Sequence, residues 1–259
     1  MRDVTSDRVL QVEVARGVAT LTLDSPANRN ALSRAMRAQL REALTAALSD
    51  DAVRVVVIDH TGRVFCSGMD LSEAAGGSSD EQGVRELPEL LELVWSAPKP
   101  VVGVVRGPAR AGGVGLAAAC DVVVAGASAT FAFSEVRLGL VPAVISAVVL
   151  PRMVPHVAHR LMLNGQVFDA DVASAGGLVD VVVPDADVDG ELRAQLVHLT
   201  AGAPTALAET KRLLRARQGA LPFDELLDLS ARFFAGEEGQ EGIAAFREKR
   251  PARWVPTED

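Results

Sequence analysis

Two glycine-rich segments carry the chemistry that this chain of 259 residues could perform. One is Arg106-Gly-Pro-Ala-Arg-Ala-Gly-Gly-Val-Gly-Leu-Ala-Ala-Ala-Cys-Asp121, which reads as a strand end, a tight turn and the start of a small-residue helix. The other is Phe65-Cys-Ser-Gly-Met-Asp70, which follows an apolar run from Val53 to Ile58. Turns of this kind let backbone N–H groups approach a ligand that side chains would block, and a helix N-terminus adds partial positive charge. Two such turns can aim two N–H groups at one developing oxyanion. Nucleophilic and metal chemistry are poorly served by comparison. The two cysteines, Cys66 and Cys120, have no metal-ligand spacing and are too few for a disulfide framework. Cys66 has no histidine close in sequence to activate it, so small-residue packing is its expected role. His60, His156, His159 and His198 form no ligand set, and no metal is expected.

The elements that must position these turns follow from hydrophobic period and turn chemistry. Runs at 9–14 and 18–23 flank Ala15-Arg-Gly17 and predict a hairpin. Asp24 to Asn30 is a loop. Ser33 caps a helix whose Met36, Leu40, Ala43, Leu44, Ala47 and Leu48 fall on one face. A β-branched strand follows at 53–59, then a glycine- and serine-rich loop at 76–80 and a helix to about Trp95. Buried strands are expected at 100–106, 121–125 and 178–183, with Pro100 at a strand start where a missing N–H is tolerated. Strand, helix and strand in alternation imply right-handed crossovers and a mostly parallel sheet. Beyond Asp187 only helices are expected, with Pro204 and Pro222 where helices begin. The division is an α/β core over 1–190 and a helical region over 191–259 within one overall domain, the latter serving oligomerisation or as a lid.

Composition bounds the partners. Net charge is −8, with 49% hydrophobic and 23% charged residues, as in a soluble globular protein. That balance argues against nucleic acid or an anionic membrane as the partner. No run approaches a membrane span, and Met-Arg-Asp-Val-Thr-Ser-Asp lacks the apolar core of a signal peptide, so a cytoplasmic enzyme is expected.

The motifs, taken in order, resemble one family. They are Asn28-Arg-Asn-Ala-Leu32, Phe65-Cys-Ser-Gly-Met-Asp-Leu71, Lys99-Pro-Val-Val-Gly-Val-Val-Arg-Gly107, the stretch from Arg106 to Asp121, Phe133-Ser-Glu-Val-Arg-Leu-Gly-Leu-Val-Pro142, Gly165-Gln-Val-Phe-Asp-Ala170 with Ala175-Gly-Gly-Leu-Val179, and Glu241-Gly-Ile-Ala-Ala-Phe-Arg-Glu-Lys-Arg250. Together they are similar to the enoyl-CoA hydratase/isomerase, or crotonase, superfamily. The resemblance implies the α/β crotonase fold, a spiral of ββα units with a C-terminal helical trimerisation region. It also implies a homotrimer or dimer of trimers.

A coenzyme A thioester is then the implied substrate, and no separate cofactor is needed. The thioester oxygen would lie between the N–H groups of Ser67 and Gly112, with Cys66, Gly68 and Gly113 in the same turns. One such donor is typically worth about a hundredfold or more in rate. Glu135 matches a catalytic glutamate of the family, and an apolar surround would suit its carboxyl to proton transfer. A solvated glutamate, paired with Arg137, is the plainer reading. Arg29 and Lys249 match positions that meet the CoA phosphates, and Ala31, Met69, Asp70 and Leu71 match positions beside the substrate. Asp70 is also expected to cap the segment after it. Ser146 lies where the family lines its acyl pocket, with helix packing as the alternative. Arg110 replaces a usually apolar residue and is read as either a partner for a substrate carboxylate or a surface arginine.

One departure matters most. Hydratases of this family carry a second glutamate where this chain has Gly115. A lone carboxylate then manages hydration of a 2-enoyl-CoA with help from a hydroxyl or backbone group, or shuttles a proton between carbons as in enoyl-CoA isomerases, or the site runs another reaction with the same enolate logic and the gap at Gly115 admits a bulkier acyl chain. The flanks of Glu135 resemble the methylglutaconyl-CoA hydratase branch, which places hydration first. A non-catalytic acyl-CoA-binding subunit is the reading from another class.

Overall fold

A computed structural model describes residues 8–70, 72–73, 86–215 and 236–256 of the chain. Strands β1 (Leu10–Ala15) and β2 (Val18–Leu23) pair antiparallel across a turn in which Arg16 and Gly17 both have positive φ. That backbone matches the twist of a tight hairpin. On β2 the buried side chains alternate, Ala19, Leu21 and Leu23 facing inward. Helix α1 (Arg34–Ser49) follows, capped as expected: the Ser33 hydroxyl accepts the Met36 N–H at 3.2 Å.

The remaining strands of the main sheet are parallel: β3 (Val55–His60), β4 (Val101–Val105), β6 (Val122–Gly126) and β9 (Val181–Val183). Their order is β1-β2-β3-β4-β6-β9. Both faces of this sheet are covered, which is why β3 and β4 read as unbroken apolar runs rather than alternating ones. Val56, Ile58, Val101 and Val105 face α1, α2 (Glu86–Trp95) and α3 (Gly112–Ala119). Val55, Val57, Val102 and Val104 pack on the other side with Val188, Leu192, Leu196 and Leu199 of α7 (Val188–Ala201).

A second sheet was beyond sequence reasoning. It has three short strands, β5 (Ala109–Arg110), β7 (Thr130–Ala132) and β8 (Phe168–Asp169), in the order β5-β7-β8. Strands β5 and β7 run parallel, so the segments that leave them depart in the same direction. Helix α6 (Ala170–Ala175) packs on this smaller sheet, α4 (Ala143–Val149) on α3 and α2, and α5 (Pro155–Asn164) on the turn at Glu135–Leu138.

After α7 come α8 (Pro204–Arg215) and a last described helix, Glu237–Glu248. Buried charge ties α8 to the core. Asp121 accepts the Val101 N–H at 2.8 Å and pairs with Lys211 at 2.7 Å and Arg215 at 2.9 Å. The Arg215 guanidinium also lies 3.4 Å from the centre of the Trp95 ring. Pro222 and the loop at 76–80 lie outside the described residues. No helix among the described residues is long and apolar enough to cross a membrane.

Candidate active site

The two glycine-rich turns meet because small residues let their backbones touch. Residues 63–66 run alongside 107–110: the Phe65 N–H donates to the Pro108 carbonyl at 3.0 Å and the Arg110 N–H to the Cys66 carbonyl at 2.9 Å. A Cβ on Gly107 would stand 2.1 Å from the Arg63 oxygen, and one on Gly113 would stand 2.4 Å from the Cys66 oxygen. Side chains at either position would push the turns apart.

Peptide planarity then decides which N–H groups point into the site. In a trans peptide the C=O and N–H point opposite ways. The Gly68 carbonyl accepts the Leu32 N–H at 2.8 Å, so the Met69 N–H on the same peptide points away from Leu32. The Ala111 carbonyl accepts the N–H groups of Val114 and Gly115 at 2.9 and 3.1 Å, so the Gly112 N–H points out of the helix end. Neither the Met69 nor the Gly112 N–H meets an acceptor among the described residues. A Cβ on Gly68 would lie 3.4 Å from the Gly112 nitrogen, which places the two turns in contact at this point.

This corrects the sequence expectation for Ser67. Its N–H is already spent on the Arg29 carbonyl at 3.1 Å. Gly68, at φ +92°, turns the chain after it, and the free donor is two residues further on, at Met69. Ala111 holds the companion donor at φ 47°, ψ −119°, a conformation that costs a non-glycine residue about 1–3 kcal/mol and clusters at functional sites.

Glu135 opens a 3-10 turn (Glu135–Leu138) three residues beyond β7. The Ala111 N–H donates to the Ala132 carbonyl at 3.0 Å, which fastens the start of that arm beside the Gly112 donor. The Glu135 side chain is half-buried, and its Oε2 is fully buried without a hydrogen-bond partner. Burial raises its pKa above the ordinary glutamate value. The salt-bridged reading is not what the structure holds: Arg137 donates instead to the Asn164 carbonyl at 3.3 Å.

Gly115 is not a gap. A Cβ there would meet Ile145 Cγ2 at 2.5 Å and Leu91 Cδ1 at 3.4 Å. Ile145, buried on α4, fills the space that a side chain at position 115 would need. Ser146, its neighbour, donates its hydroxyl to the Ala143 carbonyl at 2.6 Å and lines a different space. That cavity, about 980 Å³, lies between α2, α4, α7 and α8 and does not include Met69, Gly112 or Glu135 in its walls. Helix packing is therefore what Ser146 does, and the cavity is set apart from the two donors.

Other expected residues divide cleanly. Cys66 is wholly buried, with its thiol pushed up to about 12, so it is packing and neither a nucleophile nor a substrate contact through its side chain. Cys120 packs on Gly103 and is likewise pushed up to about 12. Asp70 Oδ1 accepts the Ser72 N–H at 3.0 Å, the cap expected of it. Arg110 is spent bracing β5 to β7, donating to the Thr130 carbonyl at 2.7 Å and hydroxyl at 3.0 Å. Ala31 is buried beneath the turn, while Arg29 and Lys249 are exposed cations. Leu71 lies outside the described residues. Sequence reasoning missed Leu32, Arg37 and Ile145. Arg37 did leave a signal, a charge beside Met36 and three residues before Leu40 on the buried stripe of α1.

Residues 13–256 match the family model described as enoyl-CoA hydratase/isomerase. The chain belongs to the enoyl-CoA hydratase/isomerase family, a family of enzymes. It is 39% identical over 258 residues to "Probable enoyl-CoA hydratase" of Rhodobacter capsulatus, covering 96% of this chain and 99% of that one. It is 36% identical over 241 residues to 2,3-dehydroadipyl-CoA hydratase of Escherichia coli, covering 90% of this chain and 93% of that protein. Among solved structures, an enoyl-CoA hydratase from Shewanella pealeana superposes with a TM-score of 0.89 at 30% identity, over 95% of this chain and 96% of the other. The crotonase fold expected from the motifs is thus the fold of the family.

Proposed function

We propose that this enzyme adds water across the double bond of a 2-enoyl-CoA thioester, using Glu135 as its one acid/base. The observation that carries the reading is the pair of unspent N–H groups, Met69 and Gly112, beside an arm that bears a buried, partnerless carboxylate oxygen. The thioester oxygen accepts from both N–H groups. Water oxygen bonds to the β-carbon as Glu135 takes a proton from it, and the electron pair of the C=C shifts to make the enolate. The enolate charge sits on the oxygen that the two donors stabilise, each worth about a hundredfold or more. Glu135 then returns the proton to the α-carbon, so H and OH have added and the carboxylate is regenerated. The raised pKa of Glu135 suits both halves of that exchange.

A second reading is movement of a double bond from the 3- to the 2-position, with Glu135 taking a proton from the α-carbon and returning it to the γ-carbon. The hydrocarbon contact of Ile145 on Gly115 favours it, because no second polar side chain stands there to orient water. Coenzyme A enters as part of the substrate, with Arg29 and Lys249 read as contacts for its phosphates. We read the assembly as a homotrimer or dimer of trimers acting in the cytoplasm. Exposed Leu138, Leu140, Val141 and Leu150 support a buried face in such an assembly. One experiment separates the readings: supply 2-enoyl- and 3-enoyl-CoA esters and follow water addition and double-bond migration. Migration without hydration selects the isomerase. Neither reaction across a broad acyl panel rejects both.

A further inference from the structure

We infer that Arg37 is a positioning residue for the two oxyanion donors. This rests on Met69 and Gly112 being those donors. Arg37 lies on the core side of α1 with its side chain only 2% exposed. Its Nη1 donates to the Leu32 carbonyl at 2.5 Å. Leu32 in turn touches both donor turns. Its N–H holds the Gly68 carbonyl and so orients the Met69 peptide, and its Cδ1 stands 3.4 Å from where a Cβ on Gly112 would be. Leu32 and Met69 also form an isolated parallel bridge. Leu32 is therefore the wedge between the donors, and Arg37 is what grips the wedge.

The grip is anchored by charge. Arg37 Nε donates to Glu86 Oε2 at 2.7 Å, and Nη1 lies 3.7 Å from Glu73 Oε2. Glu73 also accepts the Arg34 N–H at 2.8 and 3.1 Å, closing the N-terminus of α1. One guanidinium thus joins three pieces of chain: the residue before the α1 cap, the segment just after Met69, and the first turn of α2. The remaining nitrogen, Nη2, is buried and has no partner among the described residues. A purely structural core position would carry an apolar residue like its neighbours Met36, Leu40 and Leu44, and would avoid that orphaned donor. A planar fork that reaches a carbonyl and carboxylates at once is something only arginine supplies.

The test uses the full-length protein with crotonyl-CoA as the reacting probe and carbonyl-labelled butyryl-CoA as an unreactive one. Arg37→Met should lower kcat about tenfold to a hundredfold, since it weakens rather than removes a donor, and leave KM within about threefold. The infrared downshift of the bound butyryl-CoA carbonyl should shrink in step, because that downshift reads the donors directly. Arg37→Lys keeps the charge without the fork and should recover only part of both. Should Arg37→Met fail to fold, Glu86→Gln loosens the same grip from its exposed end and should give a smaller change of the same sign. An unaltered carbonyl downshift in whichever variant folds overturns the inference. The infrared readout needs no turnover, so an enzyme inactive on crotonyl-CoA would reject hydration of that substrate while still testing Arg37.

Discussion

The two donor turns and the Glu135 arm are built by opposite means. The turns are backbone against backbone, with Cys66, Gly68, Gly112 and Gly113 all buried and the Phe65 and Arg110 N–H groups bonded across to Pro108 and Cys66. The arm from Glu135 to Val141 is one short 3-10 turn ending at exposed Leu138 and followed by exposed Leu140 and Val141, held at its two ends by β7 and by Ile145 seated on Gly115. On the proposed reading, charge stabilisation falls to two N–H groups held by backbone contacts, donors that need not reorganise. On the same reading, proton transfer falls to a half-buried carboxyl, Glu135, whose environment lies between water and oil.

The comparison is sharpest at Glu135. Glu135→Gln should cut turnover by about 10²–10⁴-fold, the range of a general acid–base group, and leave the binding of a saturated acyl-CoA intact. Steady-state kinetics with calorimetric binding checks this, and undiminished turnover would remove Glu135 from the mechanism. Its raised pKa also has a stability sign. The carboxyl is comfortable protonated in the fold, so its contribution is fully present below the unfolded pKa and is lost as pH rises through the higher folded one. Thermal melts should therefore show Glu135→Gln gaining on the native protein as pH is raised across that interval.

Breaking the turns should cost both rate and stability. Gly113→Ala forces a Cβ to within 2.4 Å of the Cys66 oxygen. Losing the alignment of one donor costs about a hundredfold in kcat, and overpacking costs about 1–3 kcal/mol, read by kinetics and denaturant melts. Equal kcat in that variant would mean that the turns need not touch. A smaller effect is expected where the arm docks. Gly115→Ala collides with Ile145 and should cost about 1–3 kcal/mol with a milder loss of rate, and adding Ile145→Ala should return much of the rate by making room. Smallest of all, Cys66→Ala should leave kcat/KM within about twofold, since a thiol this buried takes no part in chemistry. A tenfold loss there would reopen the nucleophile reading.

Much of this was legible in the residues. The hairpin, the Ser33 cap, the parallel core strands and both donor turns have local signals: alternation, a hydroxyl before an apolar stripe, β-branched runs and clustered glycine. The small sheet was not legible, because β5 and β8 are two residues long and β7 is three. Pairs so short have no period of their own and exist only because the larger sheet brings them together. The family resemblance implied Ser67 as a donor. Its true partner is the carbonyl of Arg29, 38 positions earlier in the chain, and no local pattern announces a hydrogen bond of that range.

By itself the amino-acid sequence determined the family and the fold class, because its motifs of glycine, small residues and a carboxyl occur in a set order along nearly the whole chain. Tertiary structure alone decided which peptide N–H is free, what fills the space at Gly115 and which charge holds the Leu32 carbonyl. Those depend on the direction of individual peptide planes and on contacts between residues far apart in the chain. Such directions are set by what each carbonyl finds to accept from, and that is known only once the chain has closed on itself.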